Sequence, residues 1–458
     1  MRIFGILLLM FSITSFILAL IKDRLIEYRF FYFKLTLFIS LFINIGYFIN
    51  NIIFISYSEF VMIFYILICF FMNLYLKINT YLEKKSLFFA FLLIFIILTS
   101  FIFLIINIDY PKVIPYSVSA DMVYLGKARL AFPIINKINF YEFFKFLLFI
   151  IYVIMSKDYF KDSNVRYLLI ESIIKMYVFI SVIYMLEFVL NNFVNKNIFC
   201  DFVNNIFGIY DYRSYTEPLL RNGFYTCKGL YTEPSYITLF IPYFLIMLKR
   251  KIKNIYDFIF FLLCITSVII SGSSSMLVIV PMALFCLFVG LGIGINKKKQ
   301  IIKLLLFVLC FFALGCLIFK HINLFESFID YSMLKIRSYL NGNDTSLSGS
   351  IRNYANLICY NAFLKKPLLG LGIGTIKGYG IIPGMLSSMG LLGTIVYIEF
   401  MTNIFGLTLR IKWNVIIIFI IVVYFITILS IFYIYTPAIL TFVLPLKMDT
   451  RSVRKIQT

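Results

Sequence analysis

Ser86-Leu-Phe-Phe-Ala-Phe-Leu-Leu-Ile-Phe-Ile-Ile-Leu-Thr-Ser-Phe-Ile-Phe-Leu-Ile-Ile-Asn-Ile108 carries no charge from end to end. A helix rises 1.5 Å per residue, so about 20 apolar residues cross roughly 30 Å of hydrocarbon. The stretch therefore predicts a transmembrane helix, and the pattern recurs along the chain. Apolar runs over 3–21, 30–53, 59–76, 140–156, 167–190, 236–248, 255–270, 276–295, 301–319, 385–409 and 415–433 bring the total to about twelve spans. A shorter piece, 438–446, begins a thirteenth if Thr436-Pro437 is an external turn, which leaves the basic tail Arg451-Ser-Val-Arg454-Lys455 inside. The expected fold is all-α: a polytopic transmembrane helix bundle of about 12–13 spans, one integral membrane domain over 1–458.

Composition agrees. The chain is 62% hydrophobic and 14% charged, whereas soluble domains run near a quarter charged. Its mean hydropathy is +0.97. No stretch between spans exceeds roughly 60 residues, too short for a soluble domain of ordinary size. The run 3–21 follows a single Arg2, lacks small residues before a cleavage point and meets Lys22-Asp-Arg24, so it is expected to be a retained span rather than a leader. A net charge of +21 reflects Lys and Arg in inner loops, and no nucleic-acid partner is expected. The eight cysteines form no CxxC, so neither a metal site nor a redox framework is expected. Cys200 and Cys227 share one loop and are a candidate pair in an oxidising compartment. Abundant Phe, Ile, Tyr, Lys and Asn suggest an A+T-rich, bacterial genome.

Orientation follows from the connections. Basic residues gather over 22–29, 77–85, 157–166, 249–253, 297–303 and 410–412, in alternate loops, which the positive-inside rule places in the cytoplasm. The long connections are then external. They include 109–139, a loop over 191–235 with an Arg/Glu cluster, and a large loop over 321–384 in which Ile351 to Phe363 has helical spacing. Long loops without low-complexity character are usually functional.

The first polar loop is densest at Arg213-Ser-Tyr-Thr-Glu-Pro-Leu-Leu-Arg221-Asn-Gly-Phe-Tyr-Thr-Cys-Lys228-Gly-Leu-Tyr231-Thr-Glu233-Pro-Ser-Tyr236. So many polar groups in so apolar a chain point to handling of an anionic, lipid-linked substrate. Further along come Ser271-Gly-Ser-Ser-Ser275, Ser348-Gly-Ser-Ile-Arg352, Lys366-Pro-Leu-Leu-Gly-Leu-Gly-Ile-Gly374 and Met389-Gly-Leu-Leu-Gly393. In this order, from Arg213 onward, the succession resembles the O-antigen polymerase and O-antigen ligase superfamily of bacterial surface-polysaccharide assembly. The resemblance implies a membrane glycosyltransferase in the bacterial inner membrane. It would move a growing glycan from undecaprenyl diphosphate onto a lipid-linked repeat unit, without metal or cofactor. A chain-length regulator is a further candidate partner. Functional arginines in the large external loop, as in that family, match Arg352 and Arg337.

Chemistry supports those residue types. A departing diphosphate needs fixed cationic donors, which the planar arginine fork supplies. Arg213, Arg221 and Arg352 are the candidates, with Arg337 and Lys228 in support. A carboxylate must accept the proton of the attacking sugar hydroxyl, and Glu233 is the first candidate, Glu217 the second. Tyr231 and Tyr236 would stack on sugar faces. Ligases of the superfamily usually carry a histidine just before the final glycine element; this chain has only His321, which favours a polymerase. The alternatives are a ligase or a lipid-linked oligosaccharide flippase. Each residue also has a structural alternative: Glu233-Pro-Ser as a helix start, Arg213 and Arg221 as headgroup contacts, Arg352 as a bridge to Asp344. Glu187 and Glu399 fall inside expected spans, where ionisable groups are costly, but near enough to span ends to snorkel and stay outside the site.

Overall fold

The computed structural model describes residues 3–21, 24–40, 46–49, 53–76, 83–106, 110–115, 118, 120–207, 220–221, 224–225, 227–230, 347–376, 378 and 380–406, with isolated positions over 240–271 and 437–444. In chain order these residues form α1 (Ile3–Ile21), α2 (Leu25–Ser40), the hairpin β1 (Gly46–Ile49) and β2 (Ile53–Ser56), α3 (Tyr57–Leu76), α4 (Lys84–Ile106) and α5 (Ala120–Tyr124). Then come α6 (Lys137–Met155), α7 (Lys157–Lys161), α8 (Ser163–Val189) running into a π turn (Leu190–Val194), and α9 (Ile198–Ile206). A two-residue hairpin, β3 (Leu220–Arg221) with β4 (Phe224–Tyr225), precedes α10 (Leu347–Lys365) and α11 (Ile381–Phe405).

Among the described residues six helical segments are long and apolar enough to cross a membrane: Phe4–Ile21, Tyr57–Leu74, Lys84–Ile106, Lys137–Met155, Ser163–Val194 and Ile381–Phe405. The protein is a mostly helical, multi-pass membrane protein. The spans expected over 3–21, 59–76, 86–108, 140–156, 167–190 and 385–409 coincide with these within a few residues. Those expected over 236–248, 255–270, 276–295, 301–319, 415–433 and 438–446 lie wholly or mostly outside the described residues. One expectation is corrected. Residues 30–53 are not a single helix: α2 ends at Ser40, and β1 pairs antiparallel with β2 from Gly46↔Ser56 to Ile49↔Ile53. Apolarity alone misled there, because Asn44, Gly46 and Asn50-Asn51 bring turn chemistry into a hydrophobic run.

Helix α4 shows how each span divides its surface. Phe88, Phe91, Phe95 and Ile102 face outward, while Leu93, Ile97, Ser100 and Phe101 are buried. Lipid tails are as apolar as leucine, so helices associate through shape and polar ties. Large aromatics fill the core between α2, α3, α6 and α8: Phe33 packs on Tyr65 and Tyr152, at 6.0 and 5.9 Å between ring centres.

The two ends differ in chemistry. At one end the starts of α2, α4 and α8 meet the ends of α6 and α11. There Lys157 and Lys161 both bind Glu83, Lys157 also donates to Ser86 Oγ at 2.8 Å, and Asn403 Nδ2 donates to the same hydroxyl at 2.9 Å. The Arg29 guanidinium donates to Met155 O at 2.6 Å and lies over the Tyr159 ring. These are connections read as basic from sequence, so this is the end that the positive-inside rule expects in the cytoplasm. The two lysines hold the Glu83 carboxyl well below its ordinary value of 4.5, at about 2. A depressed carboxyl stabilises the fold fully above its unfolded value, and that contribution is lost as pH falls through the folded one. Thermal unfolding in detergent between pH 4.5 and 2 should therefore show a loss in the parent that Glu83→Gln lacks. It should be small, because Glu83 is 39% exposed.

At the opposite end a second apolar cluster covers the bundle. Tyr110, Val113, Ile114, Ala120 and Val123 pack with Ile351, Ala355, Ile358, Cys359, Ala362, Leu371 and Ile376. Backbone bridges join Val113 to Ala131 and Pro115 to Ile376. The helix expected from Ile351 to Phe363 is present and longer, as α10, and its apolar face is spent on this cap.

Candidate functional site at the outer end of the bundle

Of the residues singled out from sequence, Arg213, Tyr231, Glu233, Tyr236 and Arg337 lie outside the described residues, as does Glu217. Arg221 sits on β3, opposite Phe224, with only its backbone described. Arg352 is half-buried on α10. Lys228 is buried, 5% exposed. Contacts of the Arg221 side chain, and with them any meeting with Arg352 over one hollow, fall outside what is described. Three polar arrangements at this end lie among the described residues, and two of them use residues that sequence reasoning did not select.

The first is where the 191–235 loop returns to α8. Glu187 is 1% exposed, and one of its oxygens accepts from Lys228 N at 2.8 Å and from Gly229 N at 2.5 Å. Gly229 has φ +62, and a Cβ there would strike the Tyr184 ring, one helical turn before Glu187. Just beyond, Asn192 Oδ1 accepts from Tyr225 N at 2.8 Å while its amide donates to Tyr225 O at 3.3 Å. That exchange copies a strand pairing. Asn192 lies in the π turn that continues α8, a distortion common at functional sites. Cys200 and Cys227 are both free and buried in this neighbourhood, so the candidate disulfide is not formed. Burial first, and the Glu187 charge second, push the Cys200 thiol up to about 11 and the Cys227 thiol up as well.

The second arrangement is a buried trio. Lys145 Nζ lies 3.2 Å from Glu59 Oε1 and 3.6 Å from Glu142 Oε1, and 4.4 Å above the Tyr141 ring. All three side chains are at most 10% exposed. Glu59 is placed by a capping box at the start of α3: Ser56 N donates to its carboxylate at 3.0 Å, and its own N–H donates to Ser56 Oγ at 3.2 Å. Asn139, Glu142 and Lys145 recur every three residues on α6 and so share one face. Onto that face comes the glycine loop, where Asn139 Nδ2 donates to Ile373 O at 3.0 Å and to Thr375 Oγ1 at 2.8 Å. Gly374, at φ +76, lies so close that a Cβ would sit 3.2 Å from Glu142 Cβ. Charges inside apolar runs were the available signal for this trio.

The third is a broken helix. α11 is interrupted at Gly390, with φ 66 and ψ −174. The chain 366–374 runs alongside and takes up the hydrogen bonds the break exposes. Leu371 N donates to Ser387 O and Gly372 N to Ser388 O, both at 2.8 Å, while Leu391 N donates to Pro367 O at 2.8 Å and Leu392 N to Leu368 O at 3.2 Å. Non-helical backbone at membrane depth is tolerated where protein surrounds it in this way. Lys366-Pro-Leu-Leu-Gly-Leu-Gly-Ile-Gly374 and Met389-Gly-Leu-Leu-Gly393, separate in sequence, are one interlocked unit.

No family model, curated protein or solved structure matches the chain. The site offers buried carboxylates, a buried ammonium and backbone held out of helical geometry, all at the end opposite the basic loops. Such groups are expensive in an apolar setting and are kept where they bind, position or relay.

Proposed function

We propose that the protein is a polysaccharide polymerase of the inner membrane, extending a glycan carried on undecaprenyl diphosphate by transfer to a lipid-linked repeat unit at the outer face. The observation that carries this is the interlocking of the two glycine motifs through Gly370 and Gly390, beside the Asn139–Glu142–Lys145 face. The last two motifs of the succession thus form one physical unit, which supports the reading. Arg352, with Arg221, Arg213, Arg337 and Lys228, would hold the leaving diphosphate, and Glu233 would accept the hydroxyl proton.

Arg352→Ala should abolish chain extension while the protein accumulates normally in the membrane. Gel separation of surface glycan would then show single-repeat length in place of a ladder. A normal ladder from Arg352→Ala would exclude the assigned role.

A second proposal, a flippase for lipid-linked oligosaccharide, is favoured by the broken α11 and the buried trio, since interrupted helices and intramembrane charge recur at transporter sites. A deletion strain separates the possibilities. Loss of a polymerase leaves single-repeat surface glycan, loss of a ligase strands polymer on its lipid, and loss of a flippase leaves repeat units on the inner face.

A further inference from the structure

We propose that Glu187 and Asn192 are positioning residues, a two-point clamp that fixes Tyr225, Lys228 and Gly229 in the loop whose sequence carries the proposed site residues Arg221 and Glu233. The inference rests on the function proposed above and carries it to residues outside the motifs.

The geometry is that of a register device. Asn192 grips both polar backbone groups of Tyr225, the β4 residue paired beside Arg221. Glu187 grips the consecutive amides of Lys228 and Gly229, four residues before Glu233. Between the grips only 226 and 227 intervene, so the segment has little slack. Tyr184 fills the space where any side chain at 229 would sit, so a slip by one residue is blocked by Lys228 or Leu230 entering glycine's place. Merely satisfying two amides would not require a buried carboxylate, whose desolvation is costly. One oxygen of that side chain holds both amides at once, which ties two consecutive residues to a single point on α8.

Trypsin supplies a readout independent of activity, because Arg213, Arg221 and Lys228 are its sites in this segment. In the full-length protein in detergent, Glu187→Leu and Asn192→Leu should each speed cleavage there about tenfold, since proteolysis follows local opening. The same variants in cells should reduce the glycan ladder to short products. Glu187→Gln keeps an oxygen for both amides, and its NH2 replaces the oxygen that accepts from Asn191 Nδ2 at 3.4 Å; turning the Asn191 amide over presents to that NH2 its buried Oδ1, which has no hydrogen-bond partner among the described residues. It should keep cleavage within about twofold of the parent and retain the ladder, a rescue that general damage to the fold would not give. If Glu187→Leu fails to accumulate, the half-buried Asn192→Leu carries the test. Unchanged cleavage in both Leu variants overturns the clamp. Faster cleavage with a full ladder leaves the clamp standing and overturns the assignment of this loop to substrate.

Discussion

Gly390→Ala should leave little folded protein in the membrane. The backbone there has φ 66 and ψ −174, a region essentially reserved for glycine. A Cβ would also lie 2.5 Å from Leu369 N and closer still to the Leu368 carbonyl. That obstacle is backbone, and it cannot swing aside, because Leu368 O accepts from Leu392 N across the same break. Strain of about 1–3 kcal/mol and overpacking of about 1–3 kcal/mol add to a large share of the roughly 5–15 kcal/mol that holds a typical protein folded. Gly370→Ala should behave alike, since its Cβ would meet Gly390 N at 2.6 Å. Gly126→Ala is the control: φ is +72 but no atom lies within 4 Å, so only backbone strain of about 1–2 kcal/mol applies. Membrane abundance and the unfolding midpoint in detergent measure all three. A Gly390→Ala protein as abundant and heat-resistant as Gly126→Ala would mean that the loop and helix are not locked together.

Lys145→Met should be the next most damaging change. It leaves Glu59 and Glu142 buried and facing the space where their shared cation stood. Breaking a buried ion pair by removing one partner costs about 3–5 kcal/mol, most of it the penalty of the stranded charge. The mechanism makes a sharper prediction in combination. Glu59→Gln and Glu142→Gln, added together to Lys145→Met, should recover most of the lost stability, because no charge is then left unpaired. The Glu59→Gln change retains an oxygen for Ser56 N, so the capping box survives. Unfolding midpoints of the parent, single and triple variants form the test. A triple variant as unstable as the single one would show that packing, not charge, is what Lys145 contributes.

Membrane crossing was legible wherever a run was both apolar and uninterrupted, as over 86–108, because length and composition alone suffice. It was not legible over 30–53, where turn residues within an apolar run favour a hairpin that no hydropathy count separates from a span. The candidate site was legible only as a cluster of unusual residue types. From sequence Glu187 is an intramembrane acid near enough to a span end to snorkel, and its partners at 228 and 229 are hidden because they lie across a loop of some forty residues. Glu59, Glu142 and Lys145 fall at or near the starts of expected spans, and nothing in the sequence links them. What joins them is the packing of α3 against α6. α10 was anticipated from its periodicity, but its cover, the 110–123 segment, was not.

By itself the sequence determined that this chain lives largely in a bilayer and which of its loops carry the positive charge. Transfer to lipid is decided segment by segment and loop charge adds locally, so neither needs to know which helices are neighbours. Only the tertiary structure decided what the buried carboxylates bind, why α11 breaks at Gly390 and where the outer loop is held. Those are matters of which backbone and side-chain groups come within about 3 Å of one another, and that is fixed by packing between elements far apart in the chain.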